Sequence, residues 1–394
     1  MPIETIRVKN YRLFQDMSVT HLPNMAVLLG ANGSGKSTFF DIFSFLQETL
    51  ENNVRSALQR RGGFREVVTR GHETESIQFE IQLRMEITGR NRLVTYVLTI
   101  GQDGNRPVVE REILRYKRGT SGSPFHFLDF SRGKGYAITN EEDFHKTDGE
   151  LLREDQTLDS PDLLAIKGLG QFRRFKAANA FRSLIENWHV SDFHISAARN
   201  KVDAGVAEHL SRHGDNLALV AQHLHENHPD IFALILSKMR DRVPGVERVE
   251  AASTSDGYVV LRFQDGRFQD PFSSRFVSDG TIKMFAYLVL LHDPKPHPLM
   301  AIEEPENQLY PQLLLELAEE FRSYAQRGGQ AFISTHSPDF LNGVRLEEIF
   351  LLRKQNGVSS MARLADSSLL TSLVKVGDLP GAMWKQGLFD GIAP

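Results

Sequence analysis

An apolar pentapeptide, Met25-Ala26-Val27-Leu28-Leu29, runs into Gly30-Ala31-Asn32-Gly33-Ser34-Gly35-Lys36-Ser37 and then into Thr38 to Leu50, where Phe39, Phe40, Ile42, Phe43, Phe45 and Leu46 suit a helix. Strand, glycine loop and helix in this order are the context that a phosphate-binding loop requires, and they commit the segment to an α/β architecture. The glycines let successive backbone N–H groups converge on the β- and γ-phosphates of a nucleotide. Lys36 adds a point charge there, and the Ser37 hydroxyl is of the kind that ligates Mg²⁺. A chance glycine turn would lack the flanking strand and helix.

The remaining pattern places β structure at both ends of the chain. Ile77, Phe79, Ile81, Leu83, Met85 and Ile87 alternate with polar residues, the mark of a strand with one buried and one wet face. Thr88-Gly89-Arg90-Asn91 and Gly101-Gln102-Asp103-Gly104 are turn sequences, so a β-meander is expected through Tyr116. Residues 118–160 are rich in Gly, Ser and Asp and read as loop or hinge. From Asp162 to Glu226 the spacing is helical, with Phe172, Phe175, Phe181 and Leu184 on one stripe. Strands are expected again at 258–263, 300–302, 331–333 and 349–352, the last in a hairpin closed by Asn356-Gly357. The expected organisation is an N-terminal lobe over 1–160, a helical arm over 161–240 and a C-terminal lobe over 241–394.

Three further segments carry chemistry. Met300-Ala301-Ile302-Glu303-Glu304-Pro305 is an apolar strand ending in two carboxylates: the first suits the Mg²⁺ hydration shell and the second can activate a water for attack. Read alone, the segment has an exposed acidic turn as its less favoured alternative. Ile333-Ser334-Thr335-His336 ends another strand on one imidazole, 32 residues after Glu304. An isolated histidine is more often structural than catalytic, although one at a strand end can hydrogen-bond a γ-phosphate. Ser278-Asp279-Gly280-Thr281 opens an apolar helix, either as a plain N-cap or as an anion site with a close-approach glycine.

Taken together and in this order, the motifs resemble the ABC-type ATPases of the RecF, SMC and OLD group. The resemblance implies that Gly30 to Ser37 is the Walker A loop, with Gly30, Asn32, Gly33, Ser34, Gly35, Lys36, Ser37 and Thr38 around the nucleotide. It makes Ser278 and Gly280 signature residues, Glu303 and Glu304 the end of the Walker B strand, and His336 the switch histidine. Asn307 to Pro311 would be the D-loop, and Arg12 in the opening Val8 to Phe14 motif would approach the nucleotide. It implies ATP and Mg²⁺ as ligands, Ser37 and Glu303 at the metal, Glu304 and His336 as catalytic groups, and two heads sandwiching ATP. The expected fold is an ABC-type P-loop ATPase head with an antiparallel β subdomain and an inserted helical arm.

The pattern also departs from that group. Glu303 stands where most such strands carry Asp, and Asp279 and Thr281 replace the glycine and glutamine of transporter-type signatures. The Q-loop glutamine is open among Gln78, Gln82 and Gln171. No long coiled coil separates the half-sites, and the 58 residues after His336 are too few for a Toprim nuclease domain. Relatives of this kind imply the ATPase half of an antiphage module, paired with a separately encoded nuclease or toxin. The alternatives are a RecF-like repair ATPase acting without an effector, or a small-molecule P-loop kinase, which would need neither signature nor switch histidine.

Composition narrows the rest. With no cysteine in 394 residues, disulfides, thiolate metal sites and thiol nucleophiles are excluded. Absence of an apolar leader or a long apolar run points to a cytoplasmic protein without membrane contact. A net charge of −4 gives no global case for nucleic acid. The basic residues around Gln171 to Lys176, with Arg182, Arg199 and Lys201, are either a DNA-binding surface or a solvated helical face whose Phe residues are core. Arg199 itself fits phosphate neutralisation or surface pairing equally well. The tail around Trp384 and Phe389 docks either on its own chain or on a partner.

Overall fold

The computed structural model of the chain describes residues 2–117, 123–143, 146–268 and 270–389. It divides into two compact units: Met1–Trp188 with Leu346–Thr371 and Phe389–Pro394, and His189–Arg345 with Ser372–Leu388. The segment 161–240 is therefore shared between them. No helix among the described residues is long and apolar enough to cross a membrane.

The first unit carries an eight-stranded sheet. Its order is Phe14–Thr20, Ile3–Tyr11, Ile77–Ile87, Arg90–Asp103, Arg106–Tyr116, Phe125–Ser131, Lys134–Ile138 and Arg153–Thr157, antiparallel throughout. The meander is where alternation placed it. The first turn is only Thr88 and Gly89, both at positive φ, so the strands extend to Ile87 and from Arg90. Three strands lie where loop was expected. Among the described residues of 118–160, Phe127, Leu128 and Phe130 are buried, a strand too short for its period to stand out. Gly135 is the instructive residue there. It faces Phe130 across the ladder, where an added Cβ would come within 2.6 Å of the Phe130 Cα, so this glycine permits pairing and does not mark a loop.

Beside that sheet, Met25–Leu29 is wholly buried and pairs in parallel with Ile349–Gln355. The latter turns through Asn356 and Gly357 into Val358–Arg363, with Gln355 opposite Val358. Both turn residues have positive φ, the two-residue geometry that the sequence favours. Helix Lys36–Glu51 buries its phenylalanines, with Phe43 edge-on to Trp188 at 5.5 Å. Gln47 donates to the Ile185 and Trp188 carbonyls, satisfying the end of helix Lys176–Glu186.

Two buried glutamates fix helices to this sheet. Glu112 accepts from Tyr96 Oη at 3.0 Å and from the Ala165 and Ile166 amides that open helix Ala165–Leu169. Glu141 accepts likewise from Tyr116 Oη and the Ala177 amide. Burial pushes each carboxyl up to about 7 against the hydrogen bonds that favour the anion. A carboxyl raised on folding stabilises most below its unfolded value, and that contribution is lost as pH rises through about 7. Thermal unfolding is expected to show a Tm that falls as pH rises from about 4.5 to about 7 and levels off above. Glu112→Gln should reduce that fall to the share of Glu141 while lowering the baseline by about 1 kcal/mol, because Ala165 and Ile166 donate to different oxygens and the amide offers only one.

In the second unit, strands His189–Ser191, Leu299–Glu303 and Gln330–Ser334 are parallel. Helix Asp279–Leu291 leads into strand Leu299–Glu303, and helix Leu313–Gln326 joins that strand to Gln330–Ser334. Helices Leu217–Asn227 and Pro229–Arg242 pack on an antiparallel group, Val246–Ser253 with Tyr258–Asp265. Glu320 gathers Lys238, Arg242 and His292. Burial raises its carboxyl, but these partners hold it down to about 2. The tail folds back within its own units. Helix Pro380–Lys385 lies on helix Pro338–Asn342, with the Gly381 amide on Asn342 Oδ1 at 2.9 Å, and Phe389 is buried in the first unit.

Candidate functional site

The glycine loop lies in the first unit, between the end of strand Met25–Leu29 and the start of helix Lys36–Glu51. Gly30, Gly33 and Gly35 all have positive φ, and Gly35 is the left-handed residue before the helix. At Gly30 a Cβ would strike the Ser34 side chain and the Leu352 carbonyl, whereas at Gly33 nothing lies within 4 Å, so the loop is tight at its base and open at its tip. Lys36 Nζ is folded back onto the carbonyls of Gly30 at 2.8 Å and Ala31 at 3.2 Å. Ser34 Oγ is buried without a hydrogen-bond partner. Asn32 and Ser37 are exposed and Thr38 is buried. Positive-φ glycines that lead into a helix N-terminus, with a lysine folded over the loop, suit an anionic phosphate chain.

Arg12, also in this unit, has φ 51° and a half-exposed guanidinium 3.0 Å from Asp41 of the same helix. Asp41 in turn accepts from Tyr11 and is held by Arg61 at 2.8 Å. Gln78 and Gln82 lie on strand Ile77–Ile87, and Gln171 is exposed, bonded to Lys167 O.

The acidic strand end, the imidazole and the serine turn belong to the second unit. Glu303 is exposed at the end of its strand, opposite Ser334. Glu304 has φ 45°, and its amide donates to the Ser334 carbonyl at 3.0 Å. Its Oε2 accepts from Asn307 Nδ2 at 2.9 Å, and its Oε1 is 3.4 Å from His336 Nε2. The two expected catalytic groups thus share one corner, each about one third exposed. Glu306, to which motif reasoning assigned no role, and Asn307, the first residue of the expected D-loop, hold them there. Glu306 accepts from Thr335 Oγ1 and the His336 amide, both at 2.7 Å, and so fixes the histidine turn. Asn307 orients the Glu304 carboxylate. The acidic run Glu303-Glu304-Pro305-Glu306 contained the signal, but only the fold shows that its third carboxylate faces the turn.

Ser278 caps helix Asp279–Leu291, accepting from Thr281 N at 3.2 Å. At Gly280 a Cβ would lie 2.9 Å from the Gln308 carbonyl, so the glycine admits the segment after the acidic strand. Lys283 of the same helix donates to the Asn307 carbonyl at 2.7 Å, and burial lowers its ammonium to about 8 against the pull of Glu306 and Glu304. Arg199 follows a short helix, Ile195–Ala198. It pairs with Asp279 and donates to the Val277 carbonyl, which makes it a clamp on the serine turn.

The basic cluster is largely neutralised within its own units. Arg174 pairs with Glu154, Lys176 with Glu142, Arg182 with Glu186 and Lys201 with Asp256. Phe175 and Phe181 are core, while Phe172 is exposed.

The sequence matches the family described as "AAA domain, putative AbiEii toxin, Type IV TA system" over residues 25–342. No curated protein matches it in sequence. Among solved structures, it is similar to an SMC head bound to the C-winged helix domain of ScpA, with TM-score 0.57 and 12% identity over 92% of this chain and 98% of that one. It is also similar to an SMC head domain with an extended coiled coil bound to the C-terminal domain of ScpA from Pyrococcus furiosus. There the TM-score is 0.54 at 12% identity, over 95% and 99% of the two chains. At such identities the shared property is the fold.

Proposed function

Because the chain belongs to the AbiEii-type AAA domain family and has the fold of an ABC-type ATPase head of the SMC/RecF group, we propose that it is an ATP-driven switch that controls a partner effector in antiphage defence. The pairing of Glu304 with Asn307 and His336 carries this reading. A carboxylate held by an amide on one oxygen and facing an imidazole on the other is equipped to orient and deprotonate water, which hydrolysis needs and nucleotide binding alone does not.

In this reading the amides of Gly30 to Ser37 and Lys36 bind the β- and γ-phosphates of ATP, with Asn32, Thr38 and Arg12 around them. Glu304 takes the proton of the attacking water, and His336 hydrogen-bonds the γ-phosphate and registers its presence. Ser37 and Glu303 would hold Mg²⁺, which supplies charge neutralisation on the phosphates. Ser278 and Gly280 of a second copy would cover the nucleotide, so that ATP closes a homodimer and hydrolysis opens it. The family description names a toxin of a type IV toxin–antitoxin system, and the solved heads hold a partner domain, which favours a protein effector. The ion pairing of the basic cluster argues in the same direction and away from DNA.

Turnover assays of the full chain test this directly. With ATP and Mg²⁺, inorganic phosphate is expected in equal amount to ADP, from water as acceptor, and with little response to added DNA. Transfer of phosphate to a small molecule would replace the switch with a kinase. Turnover that appears only with DNA and falls steeply with salt would favour the repair reading.

A further inference from the structure

Three segments of the second unit converge on a cluster that the ATPase reading does not use. His209 lies ahead of helix Leu217–Asn227. Asp293 and His297 lie in the link from helix Asp279–Leu291 to strand Leu299–Glu303. One ligand-type atom from each of the three lies within 4.8 Å of the other two. His209 Nδ1 is 2.7 Å from Asp293 Oδ2, and Asp293 Oδ1 accepts from the Lys295 amide at 2.8 Å, so the carboxylate is already oriented. Its side chain is 4% exposed, and the His209 and His297 rings are 5.3 Å apart.

His189, the first residue of strand His189–Ser191, adds a third imidazole 4.9 Å from the His297 ring. It is 5% exposed, and its Nε2 has no hydrogen-bond partner. A histidine–aspartate ion pair accounts for His209 and Asp293 alone. It does not account for two more imidazoles packed against them, one of them buried with an unsatisfied nitrogen.

We propose that His209, Asp293 and His297 bind one divalent transition-metal ion of the zinc class, with His189 beside the coordination sphere. Two imidazoles and a carboxylate are borderline ligands that suit Zn²⁺, whereas Mg²⁺ and Ca²⁺ prefer all-oxygen shells. Three protein ligands leave a fourth position for water or for His189. Such an ion would tie the link between the Ser278-capped helix and the strand bearing Glu303 to the loop at His209, and so brace the connection between two motifs. Asp192, His194 and His213 form a second group, but all three are exposed, so it serves as the control.

The test uses the full chain after chelator treatment, titrated with Zn²⁺ alone and with Co²⁺ as a spectroscopic probe, without nucleotide. One equivalent is expected to bind at about 1 μM or tighter, with a four-coordinate Co²⁺ spectrum and a rise in Tm. His297→Ala and His209→Ala should each weaken binding by at least about 10-fold, while His213→Ala leaves it unchanged. The absence of a tight equivalent would overturn the proposal, as would full affinity in His297→Ala or loss in His213→Ala only. Should the alanine variants fail to fold, X-ray absorption of the zinc-loaded wild type decides. A shell with two imidazoles is expected, and an all-oxygen shell would refute the assignment.

Discussion

Lys36→Ala is expected to weaken ATP binding by at least about 100-fold, as read by equilibrium titration with a fluorescent nucleotide. Each charged hydrogen bond to phosphate contributes about 1.5–3 kcal/mol, and the ammonium reaches the β- and γ-phosphates together. Removing it also frees the carbonyls of Gly30 and Ala31, which Nζ now ties at 2.8 and 3.2 Å, so the loop loses a brace as well as a charge. Helix Lys36–Glu51 is packed along its buried phenylalanines, and the variant should therefore keep its fold. Unchanged affinity would move the nucleotide away from this loop.

Glu304→Gln is expected to lower kcat by about 10²- to 10⁴-fold, with ATP affinity within a few-fold of wild type. The amide is isosteric and can still accept from Asn307 through its oxygen, so the corner keeps its shape while the base is lost. Loss confined to kcat separates this residue from those that bind phosphate, because uniform binding contributions would appear in KM. A variant that hydrolyses ATP at the wild-type rate would place the base elsewhere.

Much of this was legible in the sequence for reasons of period and sterics. The glycine loop needs three positive-φ positions, and only glycines supply them cheaply; the meander alternates over enough residues to be unmistakable; Asn356-Gly357 fits one hairpin geometry. The strands at Phe125–Ser131 and Lys134–Ile138 were hidden because Gly135, read as a loop residue, makes room for the backbone of Phe130. Glu304 and His336 were visible as strand ends, but the bracing by Glu306 and Asn307 depends on how the turns close, which no local pattern encodes. Arg199 was ambiguous for the same reason: its partners, Asp279 and the Val277 carbonyl, lie about eighty residues away. The histidine cluster joins residues 189, 209, 293 and 297, a spacing that resembles no metal motif until the strand and link come together.

The switch account stands or falls on the coupling of nucleotide to assembly. The mass of Glu304→Gln in solution, measured with and without ATP and Mg²⁺, reads that coupling without turnover to dissipate it. A mass that doubles only when ATP is present is the expected result. A mass that is the same in both conditions, whether one chain or two, would contradict it.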